Sequence, residues 1–526
     1  MPDQLTTRLA LLSSTANQTL LTELQRGIEK ESLRITPEGK LAQTPHPAGL
    51  GSALTHPHIT TDFSEALLEL ITPVSTSIDR TLNCLDNTHR FVYPQLNDEE
   101  LWVASMPCIL EGDKNIPVAQ YGSSNVATMK TAYRRGLGHR YGRLMQTIAG
   151  IHYNFSLPKS LWAALQQQDG DQHPPQDYIT ASYFSLIRNF RRFSWLLIYL
   201  YGASPTVCKS FVNGRDHQLQ IHDDGSVYLP YGTALRMGNL GYQSSVQENL
   251  SICYNNLDNY IETLRQAITN SHPDYEQFGI NVDGEYRQLS NALLQIENEF
   301  YSPIRPKRVT HSGEIPLGAL RNRGVEYIEV RCIDVNPYLP LGIDADQIRF
   351  IDCFLLYCLF AHSPLCDDDD RQRINDNLKH VVNRGREPGL QLHTHNGDRS
   401  LVDWADKLLD GVEQIAIKLD AAHGGEDYQR VCYQQRQKMA DASLTPSARI
   451  LADMQAQQKP FFHFAMDLAQ QHGQQFRQRP LTGEELEYFK QQTEQSINRQ
   501  AKIEAADTLD FDNYLAQYYQ QYNALS

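Results

Sequence analysis

The sequence predicts a mixed fold with a β-sheet core and surrounding helices. Short strand-like segments recur along the chain, centred on Glu29, Ile71, His152 and Glu329. Longer stretches with apolar residues at helical spacing separate them, at residues 131–150, 183–202 and 246–268. Strands separated by helices of this length favour a mixed α/β or α+β core.

Further helices are predicted at both ends of the chain. The first 25 or so residues are predicted to form a helix, because leucines recur at roughly helical intervals, at Leu9, Leu12, Leu20 and Leu24. The apolar run at 350–361 predicts a buried helix, since it is too short to span a bilayer and contains Asp352. The acidic run CDDDDRQR at 366–373 predicts a solvated turn that leads into a helix.

The remaining chain is rich in glutamine and in residues of high helix propensity, and no long Pro/Gly-rich linker interrupts it. We therefore expect residues 1–526 to form a single catalytic domain, with a helix-rich C-terminal region from about residue 367 packed on the core.

Composition and charge favour small-molecule chemistry. Hydrophobic residues make up 41% and charged residues 21% of the 526 residues, and the net charge is -15. An acidic chain is poorly suited to nucleic acid or to an anionic membrane surface, because both need clustered Lys and Arg. The N-terminus has no secretory signal pattern, and the nine cysteines show no CxxC or zinc spacing. Together these features predict free thiols and a cytoplasmic protein.

The common nucleotide and hydrolase motifs are missing. The sequence has no GxxxxGK[ST], GxSxG or HExxH, and GLGSAL at 49–54 lacks the third glycine of a dinucleotide loop. An ATP-using enzyme with this sequence would have to hold phosphates with metal ions and basic side chains.

Acidic residues stand inside two apolar segments. In RGIEKESLRI at 26–35, a strand would place Glu29 and Glu31 on one face, where each raises the pKa of the other. In TTDFSEALLELITP at 60–73, a strand would align Glu65, Leu67, Glu69 and Ile71, whereas a helix would align Asp62, Glu65 and Glu69. The Thr-Pro end favours a strand for the second half. Buried acids are costly unless paired.

Two further segments alternate polar and apolar residues as strands do. GIHYNFSLP at 150–158 places His152 and Asn154 on its polar face, and GVEYIEVRCIDVNP at 324–337 places Tyr327, Glu329 and Arg331 there. Taken singly, each polar face is typical of a strand exposed to water, and His152 of a structural histidine.

The joint pattern predicts a metal site. If these strands share a sheet, one face collects six side chains: Glu29, Glu31, Asp62, Glu69, His152 and Glu329. Roughly five negative charges cannot persist together at low dielectric without cations. Oxygen ligands with one imidazole suit Mg²⁺ or Mn²⁺, and so many acids imply more than one ion, bridged by a polyphosphate.

Basic residues could complete such a site. Arg305 and Lys307 lie just before the Glu329 strand and suit phosphate oxygens, although a solvated basic loop is the alternative. Arg236 and Tyr242 lie in a Gly-rich loop. Arg236 and Arg331 are candidates for binding the carboxylates of amino-acid substrates in bidentate fashion.

Long stretches of the chain resemble glutamate–cysteine ligases of the proteobacterial type. The resemblance runs from about Gln25 to Pro340 and is carried by RGIEKESLR, GSALTHPHITTDFSEALLELITP, SMPC, QYGSSN, LMQTIAGIHYNFSLP, YLYGASP, LQIENEFYSPIRPKR and GVEYIEVRCIDVNP. It implies an α+β fold with a catalytic core like that of glutamine synthetase. In that core a curved, mainly antiparallel sheet forms the active-site funnel and helices surround it.

The resemblance also implies a reaction. ATP, L-glutamate and L-cysteine would give γ-glutamylcysteine, ADP and phosphate through a γ-glutamyl phosphate intermediate, the first step of glutathione biosynthesis. It implies magnesium or manganese, more than one ion, with ATP as co-substrate and feedback inhibition by glutathione. Another glutamate carboxylate–amine ligase of the same fold is the alternative, and a non-catalytic metal- or nucleotide-binding protein is a second one.

Site residues follow from the matched motifs. The family's metal ligands fall on Glu29, Glu31, Asp62, Glu69, His152 and Glu329. Its amino-acid contacts fall on Tyr133, Gln146, Asn154, Arg236, Tyr242 and Arg331, of which Arg236 and Arg331 are also the catalytic candidates. Arg305 and Lys307 are the candidates for the ATP phosphates. Tyr133 and Tyr242 are the residues expected at a thiol pocket, and Glu65 is left out of the ligand set.

Overall fold

A computed structural model describes residues 3–241, 250, 252–311 and 313–525. A seven-stranded antiparallel sheet forms its centre. The strands are β1 (Gln25–Ile35), β2 (Ile59–Thr61), β3 (Leu67–Ile71), β4 (Glu100–Leu101), β5 (Ile151–Ser156), β6 (Ile304–Lys307) and β7 (Tyr327–Ile333). They lie in the order β6-β7-β5-β1-β3-β2, and β4 pairs with the end of β1. The predicted strands around Glu29, Ile71, His152 and Glu329 are thus confirmed.

The register of the sheet brings the polar residues of five strands to one face. Glu29 pairs with His152 on β5 and with Ile71 on β3, and Glu31 pairs with Glu69. Glu329 is opposite Asn154 on one side and Arg305 on the other. Because directly paired residues project to the same side of a sheet, all of these residues share a face.

The other face of the sheet is buried in the main hydrophobic core. Ile28, Tyr153, Phe155 and Val330 all have at most 1% of their surface exposed. Helices cover this side, and the long helix 175–201 lies against the strands that carry Arg305 and Glu329. The sheet therefore has one dry face that stabilises the fold and one polar face that carries the candidate site.

Helices of eight residues or more surround the sheet in the described part of the chain. In order they are α1 (Gln4–Leu11), α2 (Ile78–Val92), α3 (Asn125–Tyr141), α4 (Lys159–Asp169), α5 (Pro175–Tyr201), α6 (Leu257–Thr269), α7 (Pro316–Arg323), α8 (Ala345–Phe360), α9 (Asp368–Arg384), α10 (Leu401–His423), α11 (Asp427–Ala440), α12 (Pro446–Gln457), α13 (Phe461–Arg477), α14 (Gly483–Ala506) and α15 (Phe511–Asn523).

Small two- and three-stranded elements complete the fold. One ribbon joins Thr206–Cys208, Gln220–Ile221 and Ser226–Tyr228. Hairpins pair Asn281–Val282 with Glu285–Tyr286, and Gln391–Thr394 with Gly397–Ser400. None of them joins the central sheet among the residues described.

The predicted helices are present with shifted ends, except that the single N-terminal helix is divided into α1 and two short helical turns at Thr15–Gln18 and Thr19–Glu23. The helix expected at 131–150 runs from Asn125 to Tyr141, because Ser124 caps its start and Gly142, with φ +79°, ends it. The helix expected at 246–268 starts at Leu257, behind the N-cap Asn256. Its predicted first turns, at residues 246–249 and 251, lie outside the described residues.

Other local predictions are confirmed. Residues 350–361 lie almost wholly in the buried helix α8, and Asp367 of the acidic run caps α9. The nine cysteines are free thiols. Within the described ranges, no helix has the length and apolar character needed to cross a membrane.

Candidate active site

Glu29, His152 and Glu329 form the centre of the polar sheet face. The Nδ1 atom of His152 lies 3.3 Å from Glu29 Oε2 and 3.6 Å from Glu329 Oε1. One ligand atom from each of the three residues lies within 4.8 Å of the others. Three strands, β1, β5 and β7, supply these side chains, so the spacing of the cluster is fixed by the sheet register.

Glu31 and Glu69 extend the cluster along β1 and β3. Glu31 Oε2 accepts a hydrogen bond of 2.6 Å from the backbone N–H of Gly150, and Glu31 Oε1 lies 3.7 Å from His152 Nε2. Burial raises the pKa of Glu31, and it raises that of Glu69 further, with help from the nearby charge of Glu29.

The remaining two carboxylates respond in the opposite direction. Burial acts to raise the pKa of Glu329, but the combined effect of the nearby basic groups, with Lys307 and Arg331 the strongest of them, outweighs it and holds the pKa below its ordinary value. For Glu29, burial is again the largest effect and acts to raise the pKa, but the hydrogen bond from His152 and the charges of His152 and Lys307 together outweigh it, and the pKa of Glu29 is lowered. The face thus combines two carboxylates held in the charged form with two that favour the neutral form unless a cation compensates their charge.

Asp62 follows β2 and borders the cluster from a more open position. Its side chain is 44% exposed, and its Oδ1 lies 3.9 Å from Nη2 of Arg134. The backbone carbonyl of Asp62 also accepts a hydrogen bond from Arg134 Nε. The charge of Asp62 contributes to the raised pKa values of Glu31 and Glu69, which places it within electrostatic reach of the metal candidates.

A pocket opens beside the acid cluster. Its lining includes five of the predicted site residues and further side chains of α3 and of the segment 298–301: Glu31, Asp62, Tyr133, Gln146 and Arg331, with Arg134, Asn298, Glu299 and Tyr301. It is therefore bounded by acids on one side, by Arg331 on another and by aromatic groups. That combination suits a small zwitterion with a carboxylate.

The two amide side chains predicted to contact substrate, Gln146 and Asn154, lie in different parts of the site. Gln146 donates from Nε2 to the hydroxyl of Tyr301 at 3.0 Å, within the pocket wall. Asn154 donates from Nδ2 to Glu29 Oε1 at 2.8 Å and so lies in the acid cluster. Asn154 fixes the orientation of one candidate metal ligand.

The two arginines predicted to be catalytic, Arg236 and Arg331, are adjacent. Arg331 Nη1 lies 3.1 Å from Glu329 Oε1, and its side chain lines the pocket. Arg236 is fully buried, donates from Nη2 to the backbone carbonyl of Arg331 at 2.8 Å and has Nη1 3.9 Å from Asp334. Arg236 therefore supports the strand from which Arg331 projects.

The predicted phosphate contacts differ in accessibility. Lys307 Nζ lies 3.5 Å from Glu329 Oε2, and 31% of its side chain is exposed. Arg305 is buried, and its Nη2 donates to the backbone carbonyls of Asn298 and Phe300. Lys307 is the more accessible of the two cations. The predicted contact Tyr242 lies outside the described residues.

Some functional candidates were not predicted from the sequence. Arg134, Glu299 and Tyr301 line the pocket. Glu299 and Tyr301 both fall in the quoted motif LQIENEFYSPIRPKR, and Arg134 directly follows the predicted contact Tyr133 on α3. Glu65, which was left out of the ligand set, accepts backbone hydrogen bonds from His46 and Gln120 and has a structural role.

Comparisons with known proteins indicate one enzyme family. A profile of the family described as glutamate-cysteine ligase matches residues 9–381. The chain is 50% identical over 518 residues to the glutamate–cysteine ligase of Pseudomonas paraeruginosa, with 98% of each chain covered. It is 49% identical over 526 residues to that of Pseudomonas putida strain W619, with 100% of each covered.

Solved structures show the same fold. The glutamate–cysteine ligase of Francisella tularensis, solved in complex with AMP, superposes with a TM-score of 0.90 at 38% identity, covering 96% of this chain and 99% of that one. A bifunctional glutathione synthetase from Pasteurella multocida gives a TM-score of 0.70 at 25% identity, over 88% of this chain and 54% of that one. The α+β expectation is thus confirmed, and the chain belongs to the glutamate–cysteine ligase family.

Proposed function

We propose that this chain joins the γ-carboxyl of L-glutamate to the amine of L-cysteine at the expense of ATP, with γ-glutamyl phosphate as intermediate. The observation that carries the proposal is the juxtaposition of the acid cluster with the pocket that Arg331 and Tyr133 line. Membership of the glutamate–cysteine ligase family supplies the substrates and the place at the first step of glutathione biosynthesis. The AMP in the Francisella tularensis protein supports an adenine-nucleotide site.

The residues of the acid cluster fit divalent cations. His152 Nε2 and Glu329 Oε2 are buried atoms without a hydrogen-bond partner among the described residues. Carboxylate oxygens with one imidazole are the donor set of Mg²⁺ or Mn²⁺ sites. We assign the ligand roles to Glu29, Glu31, Asp62, Glu69, His152 and Glu329, which hold enough charge for more than one ion. Such ions, when bound, would offset the negative charge of the ATP phosphates.

The side chains around the cluster have separate tasks in this proposal. Lys307, assisted by the charge of Arg305, binds phosphate oxygens at the outer edge of β6. Arg331 binds the carboxylate of an amino-acid substrate and stabilises charge at the transferred phosphoryl group. Arg236 holds Arg331 in place and adds positive charge behind it.

No protein nucleophile is needed for the reaction. A γ-carboxylate oxygen of glutamate attacks the γ-phosphorus of ATP, and ADP leaves. The cysteine amine then attacks the acyl carbon, and phosphate leaves with the oxygen that came from the carboxylate. The pocket orients the two amino acids and must exclude water, because water would hydrolyse an acyl phosphate.

Cysteine selectivity is assigned to a small pocket at Tyr133, with Tyr242 as its second predicted contact. We further propose that residues 1–526 act as one catalytic domain. Contacts between the N-terminal half and the C-terminal helices support this, such as the hydrogen bond from Asn125 N to the Asp507 carboxylate. Cytoplasmic location and feedback inhibition by glutathione belong to the same proposal.

ADP release tests the function directly. The purified protein with Mg²⁺, ATP and L-glutamate is assayed with L-cysteine, with L-2-aminobutyrate and with ammonia. The proposal expects the highest kcat/KM with L-cysteine. A higher value with ammonia would assign the chain to another carboxylate–amine ligation, and no turnover with any amine would indicate a non-catalytic binding protein.

A further inference from the structure

The last helix, α15, packs against the substrate pocket. Its Leu515 belongs to a small apolar cluster with Met129, Ala132, Leu289 and Ile296. Tyr133, the proposed cysteine contact, packs on this cluster from α3, and Tyr519 packs on it from α15. The C-terminal helix therefore shares a packing unit with a pocket residue.

Two tyrosine hydroxyls of α15 hold the chain segment 295–299. Tyr519 donates to the backbone carbonyl of Gln295 at 2.8 Å. Tyr522 donates to Oε2 of Glu297, whose other oxygen accepts the Leu317 N–H at 2.9 Å. Tyr522 and Gln295 are fully buried, so these bonds are shielded from water.

Gln295 links the segment held by α15 to two residues of the pocket wall. Its Nε2 donates to the backbone carbonyl of Tyr133 at 3.2 Å, and its backbone N–H donates to Glu299 Oε2 at 2.6 Å. Its Oε1 accepts the Leu289 N–H at 2.9 Å. Tyr133 and Glu299 both line the pocket. A shift of Gln295 would therefore move two walls of the pocket together.

The same segment is held from the opposite side by the sheet that carries the acid cluster. Arg305 on β6 donates to the carbonyls of Asn298 and Phe300, and it is the register partner of Glu329 on β7. The segment 295–300 thus lies between α15 and the strands of the acid cluster. Neither contact alone determines its position.

We infer that α15 is a positioning element for the amino-acid pocket, in which Tyr519 and Tyr522 act through Gln295 and Glu297 to set Tyr133 and Glu299. The inference rests on the proposed role of Tyr133 as the cysteine contact. It gives the C-terminal end of the chain a function in cysteine recognition.

The hydroxyls are tested by Tyr519→Phe and Tyr522→Phe. Each removes one buried hydrogen bond and keeps the ring, and the expected result is a rise of about three- to tenfold in the KM for L-cysteine. The KM for ATP is expected to stay within about twofold, because α15 contacts the pocket wall and not the acid cluster. Tyr514→Phe is the matched control, since the Tyr514 hydroxyl makes no hydrogen bond within the described chain and packs on the same cluster.

A second variant approaches Gln295 from α3. A Cβ at Gly136 would lie 2.1 Å from Gln295 Oε1, so Gly136→Ala is expected to displace this side chain and to raise the KM for L-cysteine as well. Gly138→Ala on the same helix faces the flexible side chain of Arg143 and is the control. Gly136→Ala and Gly138→Ala leave Tyr519 and Tyr522 intact. They therefore still test the inference if the Tyr522→Phe protein does not fold.

Three outcomes would overturn the inference. One is an unchanged KM for L-cysteine in folded Tyr519→Phe and Gly136→Ala. Another is an equal rise in the KM for ATP, and the third is an equal effect of Tyr514→Phe, either of which would indicate general loosening. A wild-type protein that releases no ADP with both amino acids would overturn the proposed function and this inference together, whereas the first three outcomes leave the proposed function standing.

Discussion

At the scale of single residues, the pair Glu29 and Glu31 carries the central electrostatic conflict of the site. The two carboxyls share a sheet face with Glu69 and Glu329, and only part of the charge of this group is offset by Lys307 and Arg331. Like charges at this spacing destabilise the fold unless a cation binds between them. Under the proposed function, the repulsion among these carboxylates lowers the stability of the metal-free fold and favours cation binding.

Glu29→Gln tests directly how this carboxylate contributes to cation binding and to fold stability. We expect activity to be abolished, because a metal ligand is lost. The metal-free fold should be retained, because the hydrogen bonds that favour the charged form of Glu29 and the repulsion from Glu329 act in opposite directions on the free energy of unfolding. Glu111→Gln, at a carboxylate that is 52% exposed, is the control for loss of a negative charge. Loss of the metal-free fold in Glu29→Gln would contradict a role in cation binding.

His152→Ala addresses the imidazole ligand. The Mg²⁺ concentration needed for half-maximal rate should rise by about tenfold or more, as expected when one ligand of a metal site is removed. His173→Ala, at a side chain that is 76% exposed, is the control. An unchanged magnesium dependence of His152→Ala would show that His152 is not a ligand.

His56 gives a pH dependence that is independent of the metal site. Its Nδ1 accepts the backbone N–H groups of His58 and Ile59 at 3.1 and 3.0 Å, so this nitrogen must be unprotonated in the fold. Burial lowers the pKa of His56 to about 3. The unfolded chain takes up a proton near the ordinary histidine pKa, so His56 contributes stability above that pH, and this contribution falls as the pH drops toward about 3.

We therefore expect the unfolding free energy of the wild-type protein to fall by up to about 2 kcal/mol more than that of His56→Asn between about pH 7 and about pH 5. The Asn side chain keeps an acceptor near the Nδ1 position and does not titrate. Denaturant unfolding at several pH values measures the difference. Parallel pH profiles for the two proteins would contradict the assignment.

At the scale of elements, the start of β5 joins the acid cluster to the arginine pair. The Gly150 N–H donates to Glu31, and a Cβ at Gly150 would lie 1.9 Å from Nη2 of Arg236. Arg236 is fully buried and cannot move aside easily. The guanidinium of Arg236 can therefore pack this closely against the start of β5 only because residue 150 is a glycine.

Gly150→Ala should therefore displace Arg236 and lower kcat/KM for L-glutamate by about tenfold or more, because substrate positioning in the pocket is disturbed. Gly225→Ala, where a Cβ would meet only ordinary contacts at 3.6 Å, is the control. Steady-state kinetics with saturating ATP measures the effect. If the Gly150→Ala protein folds and has the kinetics of the wild type, the packing of Gly150 against Arg236 does not affect catalysis.

The strand periodicity of the sequence predicted which side chains share the polar face, and the register confirms it for Glu29, Glu31 and Glu329. Helix ends were predicted less well, because caps such as Asn256 outweigh apolar periodicity. The environment of Lys30 was not predicted at all. It is buried on the apolar face with Nζ 2.8 Å from His89 Nε2, a contact between distant segments that has no local sequence signal.

At the scale of the whole molecule, the site depends on contacts between segments that are far apart in the chain. The pocket combines residues of β1, α3, β7 and the segment 298–301, and α15 holds that segment from outside. Local patterns predicted the strands and the acids, and the family resemblance named most of the remaining residues. The convergence itself arises from sheet register and long-range packing, which periodicity does not encode.

The net charge of -15 extends the proposed cation requirement from the site to the whole molecule. Both ATP and L-glutamate are anions at neutral pH, so an acidic protein with an acidic cluster attracts neither of them by its overall field. Binding is therefore expected to rely on local compensation, from metal ions at the cluster and from Lys307, Arg305 and Arg331. The central claim is that this arrangement activates the γ-carboxylate of glutamate by phosphorylation.

Oxygen-isotope transfer tests that claim most directly. L-Glutamate labelled with oxygen-18 in the γ-carboxylate is incubated with the protein, Mg²⁺, ATP and L-cysteine, and the released phosphate is analysed by mass spectrometry. We predict that labelled oxygen appears in the phosphate in step with γ-glutamylcysteine formation, because the attacking carboxylate oxygen leaves with the phosphoryl group. Formation of γ-glutamylcysteine with unlabelled phosphate would contradict the account.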